Sequence, residues 1–262
     1  MTLICVASPK GGVGKTMVAA HLAHEMRRAG APNVVVIDLD PQNALRLHYG
    51  VPMSLRFGVV NCIEAGLPWD DAAIPSTSDV VVYPFGALTL PLQAEFDQAV
   101  RAQPGLIANE VLARANEPET IVIVDTPPGY SAAFSSLLPV ADIVVTVMTP
   151  EASCISLIPD IKNGACYGVS QHEPASFVHR VIVNRFDPMN RISAMAMPQI
   201  SRHFGNMILG TICRDEHVGE AFASQKLVQS YAPYCRATAD LELVGSRLVQ
   251  IIENLIERRG RL

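Results

Sequence analysis

The sequence predicts an α/β fold: a mostly parallel, doubly wound sheet of about seven or eight strands flanked by helices. Apolar, β-branched runs of strand length recur along the 262 residues. Most are continuous rather than alternating, the pattern of strands buried on both faces of a parallel sheet. Helix-length stretches separate them, which implies right-handed crossover units. Between the first strand and the first helix lies a glycine-rich turn with two lysines.

The expected strands are Leu3–Ala7, Val34–Ile37, Val80–Tyr83, Ile121–Val124, Ile143–Met148, Val178–Val183 and Met207–Ile212. The expected helices are Lys15–Ala29, Pro91–Ala115, Ser131–Leu138, Glu151–Gly164, Arg191–Phe204, Glu216–Gln225 and Leu241–Arg258. Residues 50–78 are rich in turn formers and read as an irregular excursion, not as a second domain. There is no internal repeat or low-complexity linker, so residues 1–262 read as one domain.

Hydrophobic residues make up 49% of the chain and charged residues 17%. So few charges fit either a large buried sheet or a sizeable interface with a partner or a second copy. The net charge of −5 argues against a protein devoted to neutralising DNA phosphates, though a local basic patch remains open. Six cysteines include no C-x-x-C pair, so zinc and redox signatures are lacking and free thiols are expected. The chain enters an apolar strand without a basic leader, and no apolar run approaches the ~20 residues that span a bilayer. A cytoplasmic protein is the expectation.

Ser8-Pro9-Lys10-Gly11-Gly12-Val13-Gly14-Lys15-Thr16 follows the first strand and opens a helix. Glycines let backbone N–H groups turn inward around an oxyanion, and the helix N-terminus adds partial positive charge. Lys10, Gly11, Gly12, Val13, Gly14, Lys15, Thr16 and Met17 are therefore the candidate nucleotide-binding stretch. Lys15 is placed to reach the β- and γ-phosphates of ATP, and Thr16 to offer a hydroxyl to Mg²⁺. Lys10 is unusual. From the start of the loop it could reach a second subunit's nucleotide, or it could be a solvated surface lysine.

Asp38 and Asp40 follow the second strand, and alternation points them the same way. One could hold Mg²⁺ through water and one could orient the attacking water; a helix-capping carboxylate is the plainer reading. Asp125 ends the run Ile121–Val124, the Walker B pattern, and is a candidate for fixing Mg²⁺. Thr126-Pro127-Pro128-Gly129 is a stiff turn suited to registering a γ-phosphate. Asn184 and Arg185 follow the strand Val178–Val183. The amide of Asn184 could match the N6/N7 edge of adenine, or it could simply make an Asx-turn.

The string K-G-G-V-G-K-T resembles the deviant Walker A motif of the MinD/ParA-like P-loop ATPases, the class that includes nitrogenase iron proteins. The resemblance implies a homodimer sandwiched around ATP with Lys10 acting in trans. It ties Asp40 to hydrolysis, makes Lys10, Lys15 and Asp40 the catalytic set and Thr16, Asp38 and Asp125 the magnesium set, and places Asn184 at the base. Thr211-Ile212-Cys213-Arg214-Asp215 resembles the family's second base-contacting loop, with Cys213 where proline is usual, so Arg214 is a further candidate. Met17 stands where relatives often carry a second threonine. No cysteine follows Asp125 closely, which argues against an iron–sulfur role.

Asn43-Ala44-Leu45-Arg46-Leu47, Gly66-x-x-Trp69, Pro84-Phe85-Gly86 and Arg214-Asp215-Glu216 resemble, in that order, the MinD-like ATPases of bacterial cellulose-synthase operons, the BcsQ/YhjQ type. This implies an accessory or regulatory ATPase of cellulose biosynthesis and secretion, working with other secretion subunits at the inner-membrane face. The alternatives are a ParA-type partition ATPase that binds DNA, and a scaffold that holds nucleotide without hydrolysing it. The stretch Leu241–Leu262 is amphipathic and ends in Arg258, Arg259 and Arg261. It reads first as a helix packed on the sheet, with peripheral membrane contact as the other reading.

Overall fold

A computed structural model describes residues 2–169 and 176–259. In chain order they form β1 (Thr2–Ala7), α1 (Lys15–Arg28), β2 (Asn33–Asp38), α2 (Val59–Ala65), β3 (Ile74–Pro75), β4 (Val81–Tyr83), α3 (Leu90–Ala102), α4 (Gly105–Ala115), β5 (Thr120–Asp125) and α5 (Ala132–Leu137). They continue with β6 (Ile143–Met148), α6 (Ala152–Ile155), α7 (Ile158–Lys162), β7 (Val178–Phe186), α8 (Arg191–Phe204), β8 (Ile208–Cys213), α9 (Glu216–Ala223), α10 (Val228–Tyr231) and α11 (Arg236–Arg259). The sheet has eight strands in the order β3-β4-β2-β5-β1-β6-β7-β8. Among the described residues only the β3–β4 pair is antiparallel. Strands β1, β5 and β6 are buried on both faces between two apolar layers, which is why their sequences are continuous apolar runs.

Four expectations are corrected. Pro91–Ala115 is two helices, because Gln103, ahead of Pro104, leaves helical space at φ −137°, ψ 81° and the proline ring disfavours the α region for the residue before it. Glu151–Gly164 also splits: Pro159 lies in the first turn of α7 and has no N–H to continue the α6 ladder. The last helix begins at Arg236 rather than Leu241. Its polar first turns hide in the sequence, but Ala237 N–H donates to the Asp215 carboxylate and Arg236 pairs with Asp240. Finally, the excursion at 50–78 is ordered: it holds α2, β3 and the fully buried Trp69.

The cation of Arg114 on α4 fixes that excursion. Its guanidinium lies 5.5 Å from the Trp69 ring centroid and 5.0 Å from that of Tyr83. It also pairs with Asp70 at 2.7 Å and Glu110 at 2.9 Å. Arg114→Ala should lower unfolding free energy by about 2 kcal/mol through lost stem packing and cation–π contact. A shifted urea midpoint at unchanged slope would register it; no shift would mean the aromatic pair packs as well alone.

Helix α11 buries Leu241, Val244, Leu248 and Ile252 against β8 and α1, as the packed-helix reading expected. Its Arg259 is paired with Asp142; Arg261 lies outside the described residues. Among the described residues no helix is long and apolar enough to cross a membrane.

Candidate nucleotide site

The C-terminal ends of β1, β2 and β5 meet side by side, with Asp38 and Asp125 in direct register. Brief positive-φ turns at Gly12 (φ 77°) and Gly14 (φ 88°) bring the loop after β1 back into α1. Gly14 has a second constraint: a Cβ there would lie 2.3 Å from Asn184 Nδ2. Gly14→Ala should therefore both strain the backbone and push Asn184 off the loop, weakening nucleotide binding at least ~10-fold. Calorimetry with MgADP would read it; unchanged affinity would show that the loop relaxes freely.

A cavity of about 880 Å³ opens over this loop. Lys10, Gly11, Gly12, Val13, Gly14, Lys15, Thr16 and Met17 all line it, as do Asp40, Asn184, Arg185 and Arg214. The Lys15 ammonium is buried and lies 3.1 Å from Asp125 Oδ1 and 3.4 Å from Asp40 Oδ2. Burial alone would lower its pKa, but Asp125 and Asp40 outweigh burial and hold it above the usual lysine value.

Asp38 is placed differently from Asp40. Strand β2 stops at Asp38, and both of its oxygens accept backbone N–H groups, Oδ1 from Asp40 at 2.9 Å and Oδ2 from Leu45 at 3.1 Å. It is fully buried, does not line the cavity, and organises the turn that presents Asp40. Burial and the neighbouring Asp125 raise its pKa well above the carboxylate range. Asp125 is also raised, by burial against the opposing pull of Lys15. Its Oδ2 is buried with no hydrogen-bond partner, and the neighbouring Thr16 hydroxyl pulls with Lys15 against the effect of burial.

A carboxylate whose folded pKa is raised binds its proton more tightly in the folded chain. Its stabilising contribution is then largest at low pH and fades as pH rises from about 4 through the raised value. Removing Asp125 should thus remove a pH slope. Relative to the native chain, Asp125→Asn should gain stability as pH rises from about 4 to about 8, in urea titrations without nucleotide. A difference that is flat or of opposite slope would refute the burial argument.

The other predicted residues grip the loop itself. Asn184 is buried and donates from Nδ2 to Val13 O at 2.8 Å; Arg185 donates from Nη1 to Gly12 O at 2.9 Å. They are placed inside β7 rather than after it, at a register shift where Arg185 takes φ 56°. Lys10 turns sideways: its Nζ lies 2.5 Å from Ser153 Oγ and 3.5 Å from Glu151. Arg214 pairs with Glu216 at 3.1 Å.

Sequence reasoning missed Glu151 and Ser153, which only the β6–α6 turn brings to Lys10. It also missed His48 and Phe222, whose rings lie 4.7 Å apart on the cavity wall. No local signal marks any of the four.

The arrangement offers a glycine-bearing loop along the cavity wall, a buried ammonium for phosphate and a recessed acidic pair against it. Two buried carboxylates, Asp40 and Asp125, contact one ammonium, Asp38 is buried beside Asp125, and one oxygen of Asp125 is orphaned. That excess of oxygen donors, with the Thr16 hydroxyl, fits a hard divalent cation such as Mg²⁺.

A family model described as "Cellulose biosynthesis protein BcsQ" matches residues 1–247. The chromosome partitioning protein ParA of Caulobacter vibrioides is 25% identical over 250 residues, 94% of this chain and 90% of that protein. The cellulose biosynthesis protein BcsQ of Salmonella typhi is 30% identical over 155 residues, 59% of this chain and 61% of that protein. Among solved structures, the septum site-determining protein MinD of Pyrococcus horikoshii, complexed with Mg-ADP, superposes with a TM-score of 0.74 at 20% identity. That match covers 96% of this chain and 97% of the other. The fold is thus the MinD/ParA type of P-loop NTPase.

Proposed function

The chain belongs to the cellulose biosynthesis protein BcsQ family, and from that membership we propose that it is a slow, ATP-hydrolysing dimeric switch serving cellulose biosynthesis and secretion. One observation carries the nucleotide reading: the loop Lys10–Thr16 lines the cavity with Lys15 already charge-balanced by Asp40 and Asp125. The loop amides and Lys15 bind the triphosphate, and Asn184 with the loop Thr211–Asp215 faces the base. Thr16, with Asp125 beneath, would hold Mg²⁺, which would supply charge neutralisation at the phosphates. Asp38 supports this cluster by fixing the turn rather than by facing the cavity. Asp40 orients water for in-line attack, and Lys10 leaves Glu151 and Ser153 to reach the nucleotide of a second copy.

The readout is a changed surface for other secretion subunits at the cytoplasmic face of the inner membrane. Light scattering tests the switch: MgATP should double the mass and MgADP should not. A monomer under both conditions would overturn it. A ParA-like partition ATPase is the second reading, favoured by a match to ParA along 94% of the chain. Salt-sensitive shifting of random duplex by the ATP-loaded protein would select partition; no shift at low salt selects the cellulose reading.

A further inference from the structure

At one end of the cavity the fold gathers three donors: Asp215, His217 two residues on, and Cys235 eighteen residues beyond that. Ligand atoms of Asp215, His217 and Cys235 all lie within 4.8 Å of one another. Asp215 caps α9, His217 stands in its first turn, and Cys235 immediately precedes α11. Asp215 Oδ1 accepts the His217 backbone N–H at 3.1 Å and lies 2.7 Å from its ring Nδ1. Its Oδ2 accepts the Ala237 N–H at 3.1 Å, which joins the two helix starts. The Cys235 thiol lies 3.4 Å from Thr238 Oγ1, which in turn donates to Ala232 O at 3.0 Å. Each donor is therefore held at the start of a helix, His217 by Asp215 itself, and Asp215 and Cys235 also by bonds to groups outside the set.

We propose that Asp215, His217 and Cys235 bind a divalent transition ion of the Zn²⁺ kind, clamping the start of α9 to the start of α11. Bonds of about 2.0–2.3 Å to N, O and S put donor atoms roughly 3.5 Å apart around a tetrahedral ion. The set as folded, with its ligand atoms within 4.8 Å of one another, lies near that spacing, and metal binding would replace the 2.7 Å Asp215–His217 contact with bonds to the ion. A thiolate and an imidazole select a borderline-soft ion over Mg²⁺ or Ca²⁺, which prefer oxygen. On binding, the thiol proton passes to solvent as the metal–sulfur bond forms. Three protein donors leave a fourth position for water or an outside ligand. The half-exposed His217 gives the ion a way in. Asp215 also lines the nucleotide cavity, so the clamp would set the position of the base loop. The site stands apart from the phosphate end and does not depend on the ATP reading.

The test uses the full chain, free of any histidine tag and stripped of metal, titrated with Co²⁺ and followed by Zn²⁺ competition. One equivalent of Co²⁺ should raise a thiolate-to-cobalt charge-transfer band in the near ultraviolet. Zn²⁺ should erase it and Mg²⁺ should not. Cys235→Ser should abolish the band, and the exposed His217→Ala should weaken Zn²⁺ binding at least ~10-fold. Cys166→Ser should leave both intact, with circular dichroism confirming that each variant is folded. Absence of the band in the native chain, its survival in Cys235→Ser, or undiminished Zn²⁺ affinity in His217→Ala would each overturn the proposal.

Discussion

Lys15→Ala is expected to weaken MgATP binding at least ~100-fold and to unsettle the empty protein as well. The first effect follows from removing the one buried ammonium on the cavity floor, a charge-assisted partner for phosphate that the loop amides alone do not replace. The second follows from what remains. Asp125 is fully buried with one oxygen already unpaired, and Lys15 is its charge partner at 3.1 Å. Breaking a buried pair from one side costs on the order of 3 kcal/mol unless the stranded carboxylate takes up a proton. Calorimetry should show lost affinity, and urea titration a loss of stability that shrinks at acid pH as Asp125 protonates. Nanomolar or micromolar affinity surviving in a folded variant would detach Lys15 from phosphate binding.

Asp40→Ala is expected to slow hydrolysis at least ~100-fold while sparing binding. Asp40 lines the cavity, is held by the Gln42 N–H at 3.0 Å and meets Lys15 at 3.4 Å. Once Lys15 engages phosphate, that carboxylate is free to accept a proton from, or align, a water at the γ-phosphate. The phosphate loop keeps its amides and Lys15, so affinity should change little and the ATP-loaded dimer should outlive the native one. Single-turnover phosphate release together with light scattering reads both quantities. Hydrolysis at the native rate would remove Asp40 from the chemistry. A parallel loss of affinity would make it a structural partner of Lys15 instead.

Much of this site is legible in the sequence because its parts are local. The loop from Lys10 to Thr16 declares itself by contiguous glycines and lysines, and Asp40, Asp125 and Asn184 by standing at the ends of apolar runs. A parallel sheet carries all such ends to one edge, so finding the strands finds the neighbourhood. What the residue pattern cannot separate is Asp38 from Asp40: alternation treats them alike, and only the end of β2 at Asp38 turns one toward the backbone and the other toward the cavity. Pairings set by tertiary contact are equally silent in sequence. Glu151 and Ser153 reach Lys10 across some 140 residues. The cluster Asp215, His217 and Cys235 matches no zinc-ligand spacing, although the fold gathers it. In the helices, the errors came from prolines at 104 and 159 and from the polar start of α11, where capping partners lie elsewhere in the chain.

The sideways pose of Lys10 has a kinetic corollary. Lys10 rests on Glu151 and Ser153, so under the proposed trans role, filling a solitary molecule's pocket would not by itself complete the chemistry. On the reading argued above, each turnover waits for an encounter between two loaded molecules. In dilute solution the rate per molecule then climbs with concentration, and crowding the protein at one cellular address is itself a way of setting the clock.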